Sequence, residues 1–167
     1  MMAAGFVAAG GSMGDEAKKE LVYRMYSGYK SDFPDVVDIS VQDAMKLADA
    51  GNPVFVDVRK PAEMAVSMLP GAISEEVFLN DPSMYAGKTV IGYCTISYRS
   101  GVFAKEMAKK GVIIKNLRGG LLAWVLEGGK VYDDAGETRR IHVFGEKWDY
   151  PPEGYESVIF SWWERAF

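Results

Sequence analysis

Apolar positions along this chain follow two rhythms, one of period 3.6 and one of short unbroken runs. From Asp15 to Lys30, Leu21, Val22, Met25 and Tyr26 recur at helical spacing and predict a helix. Ser31-Asp32-Phe33-Pro34 ends it, because a residue before proline disfavours the helical region. Val36-Val37-Asp38-Ile39 reads as a short strand, and Ser40 as the N-cap of a helix running to about Ala50. Gly51-Asn52-Pro53 closes that helix. Val54-Phe55-Val56-Asp57-Val58 is a β-branched and aromatic run, as suits a strand buried on both faces. Pro61 opens a short helix to about Ser67, and Leu69-Pro70-Gly71-Ala72-Ile73 leads back to the sheet. A loop around Asn80-Asp81-Pro82 precedes a second buried strand, Lys88 to Tyr93. Ser100 to Lys110 is predicted as an amphipathic helix with Val102, Phe103 and Met107 inward, stopped by Gly111. Val112 to Leu117 is predicted as a third strand, and Leu121 to Glu127 as a helix between two glycine pairs.

Strands alternating with helices predict an α/β fold, with an open parallel sheet and helices on both faces. Residues 36–134 hold this pattern. Residues 1–14 form a small, apolar, glycine-rich tail without the basic segment of a secretory signal. Residues 15–35 form a helical N-terminal extension. Residues 135–167 form an aromatic C-terminal extension carrying Trp148, Tyr150, Tyr155, Phe160, Trp162, Trp163 and Phe167. This arm has two readings. It wraps the domain, which the interspersed Pro and Gly favour, or it offers a homodimer surface.

Composition narrows the function. The chain has 167 residues, 49% of them apolar, which is enough for one real core. A net charge of −4 argues against a nucleic-acid surface. No apolar run approaches the roughly 18 residues of a membrane span. These features fit a cytoplasmic protein, with an organellar matrix as the alternative. One cysteine, Cys94, excludes an internal disulfide and makes a thiolate metal cluster implausible. No metal or cofactor is expected.

Cys94 has the most chemical potential. It ends a predicted strand and is followed by Thr95-Ile96-Ser97-Tyr98-Arg99-Ser100 and then a helix. In open α/β sheets, ligands bind beyond the carboxyl ends of the strands. A short strand-to-helix loop presents backbone N–H groups and a helix dipole, which together make an anion cradle. A cysteine there is expected to react as a thiolate, with Arg99 placed to bind an oxyanion donor. Asp57 and Arg59 are expected to order loops near the site rather than do chemistry. Arg118 is an open case, facing the pocket or not. Trp124 is expected in the core, and His142, the only histidine, on a strand or the surface.

Four segments resemble the motifs of the rhodanese family in the right order. Tyr93 to Gly101 is similar to its active-site loop. Val56-Asp57-Val58-Arg59, followed by Glu63, resembles its Asp-x-Arg motif. Leu69-Pro70-Gly71-Ala72-Ile73 is similar to its Pro-Gly-Ala turn, and Asn116-Leu117-Arg118-Gly119-Gly120 with Trp124 to its closing segment. Ser97 stands where the family often has glycine, and Met68 where it often has histidine.

The resemblance implies a sulfurtransferase in which Cys94 carries sulfane sulfur as a persulfide. The sulfur comes from a thiosulfate-like donor and goes to cyanide, a thiol or a protein acceptor. Thr95, Ile96, Ser97, Tyr98, Arg99 and Ser100 would form the substrate loop, supported by Asp57, Arg59 and Arg118. Two alternatives stand beside this reading: a non-catalytic module for binding or sulfur sensing, and a cysteine-dependent phosphatase.

Overall fold

A computed structural model describes residues 13–161. Residues 1–12, and the arm's Trp162, Trp163 and Phe167, lie outside the described residues.

The centre is a five-stranded parallel sheet of β1 (Asp38–Ile39), β2 (Pro53–Asp57), β3 (Ile73–Ser74), β4 (Thr89–Tyr93) and β5 (Lys115–Leu117). Its order is β1-β5-β4-β2-β3, so β4 and the cysteine that follows it stand in the middle. The helices are α1 (Asp15–Tyr29), α2 (Val41–Asp49), α3 (Pro61–Val66), α4 (Glu75–Asn80), α5 (Tyr98–Lys109) and α6 (Gly120–Leu126). Alternate strand residues feed two separate cores, as the pleat requires. Phe55, Ile91 and Tyr93 pack with Val22 of α1, Val41 and Ala44 of α2, and Leu121 to Val125 of α6. Val56, Val90 and Cys94 pack on the other face with Phe33, Phe78 of α4, and Ala104 and Met107 of α5. The α/β architecture expected from the alternating pattern is therefore present.

Local signals account for much of this. Ser40 caps α2, its Oγ accepting the Asp43 N–H at 3.1 Å. Pro61 stands at the start of α3. Three expectations need correction. The segment after β3 is not only a loop: α4 forms there, with Ser74 Oγ accepting the Val77 N–H at 3.2 Å and Glu75 and Glu76 in the first turn. The strand expected over Val112 to Leu117 is only β5, because its edge neighbour β1 offers two residues to pair with. Ile113 is consequently 68% exposed. On α5, Val102 faces outward and is exposed, while Ser100, Gly101, Ala104 and Met107 are buried.

Beyond α6 the chain has structure that the aromatic spacing did not predict. A hairpin of β6 (Val131–Asp133) and β7 (Gly136–Thr138) is followed by a parallel pair, β8 (Arg140–His142) and β9 (Glu156–Val158). The described part of the arm packs on α1 and the adjacent core. Trp148 Nε1 donates to Tyr29 Oη at 3.2 Å, Lys18 Nζ donates to the Pro151 carbonyl at 2.7 Å, and the Glu153 N–H donates to Asp15 at 3.0 Å. Tyr150 and Tyr155 lie against the core, and the Phe160 ring centroid is 4.3 Å from that of His142. Among the described residues, no helix is long and apolar enough to cross a membrane.

Candidate active site

Cys94 follows β4 directly and is 2% exposed. The chain then curls through Thr95, Ile96 and Ser97 into α5. Ser97 makes the turn with φ 65°, the only non-glycine residue with positive φ among the described ones. That left-handed position is where the family often has glycine, and a Cβ there costs roughly 1–2 kcal/mol. The loop's carbonyls are fastened to the start of α6: the Leu121 N–H donates to Cys94 O at 2.9 Å and the Leu122 N–H to Thr95 O at 3.1 Å. This contact requires Gly120, where φ is 63° and a Cβ would sit 2.4 Å from Cys94 O. The backbone N–H groups of Ile96, Ser97, Tyr98 and Arg99 donate to no described residue.

Two ion pairs stand beside this loop, one fully buried at the end of β2 and one partly exposed between α3 and α5. Asp57 and Arg59 are both buried at the end of β2. Asp57 accepts from Arg59 Nε at 2.9 Å and from Nη2 at 2.6 Å, and Nη2 also donates to the Ser67 carbonyl. Burial opposes the Arg59 charge, but the Asp57 carboxylate outweighs it and the guanidinium's pKa is raised. The second pair joins α3 to α5. Arg99 Nη1 and Nη2 donate to Glu63 at 2.7 and 2.8 Å. Burial pushes the Glu63 carboxyl up, but Arg99, His142 and the Lys60 N–H together hold it well below the usual carboxylate range. Burial likewise opposes the Arg99 charge, which the Glu63 hydrogen bond and the nearby Cys94 sulfur outweigh, so its pKa is raised.

His142 is neither a surface residue nor remote. It is 2% exposed on β8, with Nδ1 3.0 Å from Glu63 Oε1. Nδ1 and that oxygen are within contact distance but not aligned for a hydrogen bond. The other expected residues divide clearly. Ser100 is buried, its hydroxyl donating to Asn116 Oδ1 at 2.6 Å, so its side chain serves the interior. Thr95 Oγ1 and Ser97 Oγ are buried without a hydrogen-bond partner among the described residues. The Tyr98 hydroxyl donates to Asp32 at 3.0 Å. Arg118 is exposed, with its guanidinium 5.1 Å over the Tyr23 ring, and does not line the pocket at Cys94.

That pocket is a cavity of about 160 Å³. Cys94 and the loop residues Thr95, Ile96, Tyr98 and Arg99 form one side, and Phe144 and Trp148 of the arm form the other. Phe144, Trp148, Glu63 and His142 are the members that sequence reasoning did not place at the site. A larger groove of about 390 Å³, between Phe33–Val37 and α5, holds no cysteine or histidine. Among the described residues, no cluster of three or more His, Cys, Asp or Glu could hold a metal.

The geometry has an acid signature. A carboxyl held low in the fold contributes stability that is complete at neutral pH. That stability is lost as pH falls below about 4–5, where unfolded glutamate begins to take up a proton. Glu63→Gln should therefore be less stable than the native chain at pH 7, and the gap should narrow toward pH 3. Urea midpoints across that range check it; a gap that stays constant would show that Glu63 stabilises by packing alone.

Residues 40–127 match the family described as rhodanese-like domain, which covers more than half of the chain. The chain belongs to the rhodanese-like family. Within it, a sulfurtransferase of Allochromatium vinosum is 33% identical over 89 residues, spanning 51% of this chain and 83% of that protein. A thiosulfate sulfurtransferase from Pseudomonas aeruginosa shares the fold with a TM-score of 0.53 at 21% identity. That likeness covers 81% of this chain and 26% of the Pseudomonas protein. A Rhodopseudomonas palustris protein described as a possible tyrosine phosphatase also shares it, with a TM-score of 0.50 at 22% identity over 74% of this chain and 98% of that one. The rhodanese-like assignment supports a sulfurtransferase-type function for this chain.

Proposed function

We propose that this rhodanese-like chain is a sulfurtransferase that moves sulfane sulfur through a persulfide on Cys94. The observation carrying the reading is the position of Cys94 at the end of the central strand, on the wall of a cavity, inside a loop with uncommitted N–H groups. The thiolate attacks the outer sulfur of a donor, a new S–S bond forms, and the remainder of the donor leaves with the electron pair of the broken bond. With thiosulfate the leaving group is sulfite. The Cys94–S–S⁻ anion is held by the loop N–H groups and by Arg99. An acceptor thiolate or cyanide then takes the outer sulfur and restores the Cys94 thiolate. No second cysteine is present to resolve the persulfide within the chain, so the acceptor comes from outside.

The phosphatase reading is weaker for a reason of size. Cys94 to Arg99 spans six residues, with four between the cysteine and the arginine. A transferring phosphoryl group spreads charge over three equatorial oxygens that the loop must hold. The persulfide presents one sulfur. Paired assays divide the readings: thiocyanate formation from thiosulfate and cyanide, against hydrolysis of an aryl phosphate. We expect activity in the first and none above background in the second. Aryl phosphate hydrolysis that disappears in Cys94→Ser would overturn the sulfur assignment. Silence in both assays would favour a binding or sensing module.

A further inference from the structure

The arm residues Phe144 and Trp148 belong to no motif used so far, yet they form one wall of the Cys94 cavity. The opposite wall is Ile96, Tyr98 and Arg99, so aromatic rings and an aliphatic side chain enclose most of it. Its volume, about 160 Å³, is close to that of an apolar cavity of about 150 Å³ that accepts benzene. Charge points the same way. Arg99 already forms two hydrogen bonds with Glu63, at 2.7 and 2.8 Å. With His142, whose Nδ1 lies 3.0 Å from Glu63 Oε1, counted as a neutral imidazole, the Cys94 thiolate, Glu63 and Arg99 sum to a net negative charge, to which a dianion would add two more. Asp57 and Arg59 neutralise one another and change nothing in that sum. Lys147, exposed and 5.3 Å from the Trp148 ring centroid, is a solvated cation outside the lining.

We propose that Phe144 and Trp148 make this pocket selective for monoanionic sulfur donors with an apolar carbon body, of the organic thiosulfonate type, over the inorganic thiosulfate dianion. The inference rests on Cys94 being the sulfur-carrying nucleophile. The loading step balances without a proton or a redox partner: Cys94–S⁻ plus R–SO₂–S⁻ gives Cys94–S–S⁻ plus the sulfinate R–SO₂⁻. The sulfur–sulfur bond of the donor breaks as the new one forms. The body R occupies the space between Phe144, Trp148 and Tyr98, where an aromatic ring has ring partners.

The test compares kcat/KM for benzenethiosulfonate with that for thiosulfate in the native chain, Phe144→Ala, Trp148→Ala and Trp148→Phe. Intrinsic donor reactivity cancels when the same ratio is compared between variants. The ratio should fall roughly tenfold in each alanine variant, the scale on which an apolar contact discriminates, and less in Trp148→Phe. In the native chain, KM should also fall from methanethiosulfonate to benzenethiosulfonate, a comparison that holds if an alanine variant fails to fold. A ratio unchanged in folded variants, with sulfur loaded from both donors, overturns the selectivity and leaves the Cys94 reading intact. No sulfur on Cys94 from any donor overturns the Cys94 reading and this inference with it.

Discussion

Cys94→Ser should abolish sulfur transfer while leaving a folded domain. A serine hydroxyl is not ionised at neutral pH, and its oxygen cannot carry sulfane sulfur as a persulfide anion. Loss of a covalent nucleophile lowers turnover by at least on the order of 10⁴-fold, so the variant should be indistinguishable from background. Its effect on stability should be small beside that. Cys94 lies in the core formed with Val56, Val90 and Ala104, and placing a hydroxyl there costs about 1–3 kcal/mol. At this chain length that is a melting decrease of roughly 2–12 °C. Thiocyanate formation and a melting curve on the same preparation check both halves. Residual cyanide-dependent turnover by a folded Cys94→Ser would remove the cysteine from the mechanism.

Asp57→Ala should produce the largest loss of stability. The carboxylate meets Arg59 through two side-chain hydrogen bonds and one from the Arg59 backbone N–H, with both side chains fully buried. Removing it leaves a guanidinium in the interior with Ser67 O as its remaining hydrogen-bond acceptor. Arg59 Nη1 already lacks a hydrogen-bond partner among the described residues. Breaking such a pair costs about 3–5 kcal/mol, a large part of the roughly 5–15 kcal/mol that holds a domain together. Replacing both partners, as Asp57→Leu with Arg59→Met, should recover much of the loss, because no buried charge then remains. Urea midpoints of the single and double variants test this. A double variant no more stable than Asp57→Ala would show that the pair is needed for loop geometry rather than for its own neutralisation.

The parts of the fold that could be read from the chain are those decided locally. Val54 to Val58 and Lys88 to Tyr93 are apolar runs long enough to be buried on both faces, and they became β2 and β4. Ser40 and Gly111 punctuate their helices through side-chain and backbone chemistry that acts within a few residues. Helix α4 was missed because it is six residues long and only Phe78 is buried, so no period is visible. The length of β5 was misread because a strand's extent depends on its partner. Val112 to Ile114 has strand character, but in the parallel register β1 begins only at Asp38, opposite Asn116.

The site divides in the same way. Cys94, its loop and Arg99 are contiguous, so strand-end position and spacing indicated them. Glu63, His142, Phe144 and Trp148 reach the same place from α3 and from the arm. Their approach is a product of tertiary packing across as many as 85 positions of chain between Glu63 and Trp148, and no local spacing encodes it. Arg99 shows the consequence. From sequence it was a free cation awaiting an oxyanion; in the structure, Glu63 already accepts two of its hydrogen bonds. Arg118, two residues before the glycine that touches the Cys94 carbonyl, turns instead onto Tyr23.

The persulfide on Cys94 is the central claim, and intact mass spectrometry tests it most directly. The native chain is incubated with thiosulfate, and separately with benzenethiosulfonate, freed of donor, and weighed before and after cyanide. The account predicts a gain of one sulfur atom per chain, its complete removal by cyanide as thiocyanate, and no gain in Cys94→Ser. A native chain that gains no sulfur from either donor, or a Cys94→Ser chain that gains as much as the native one, would contradict it.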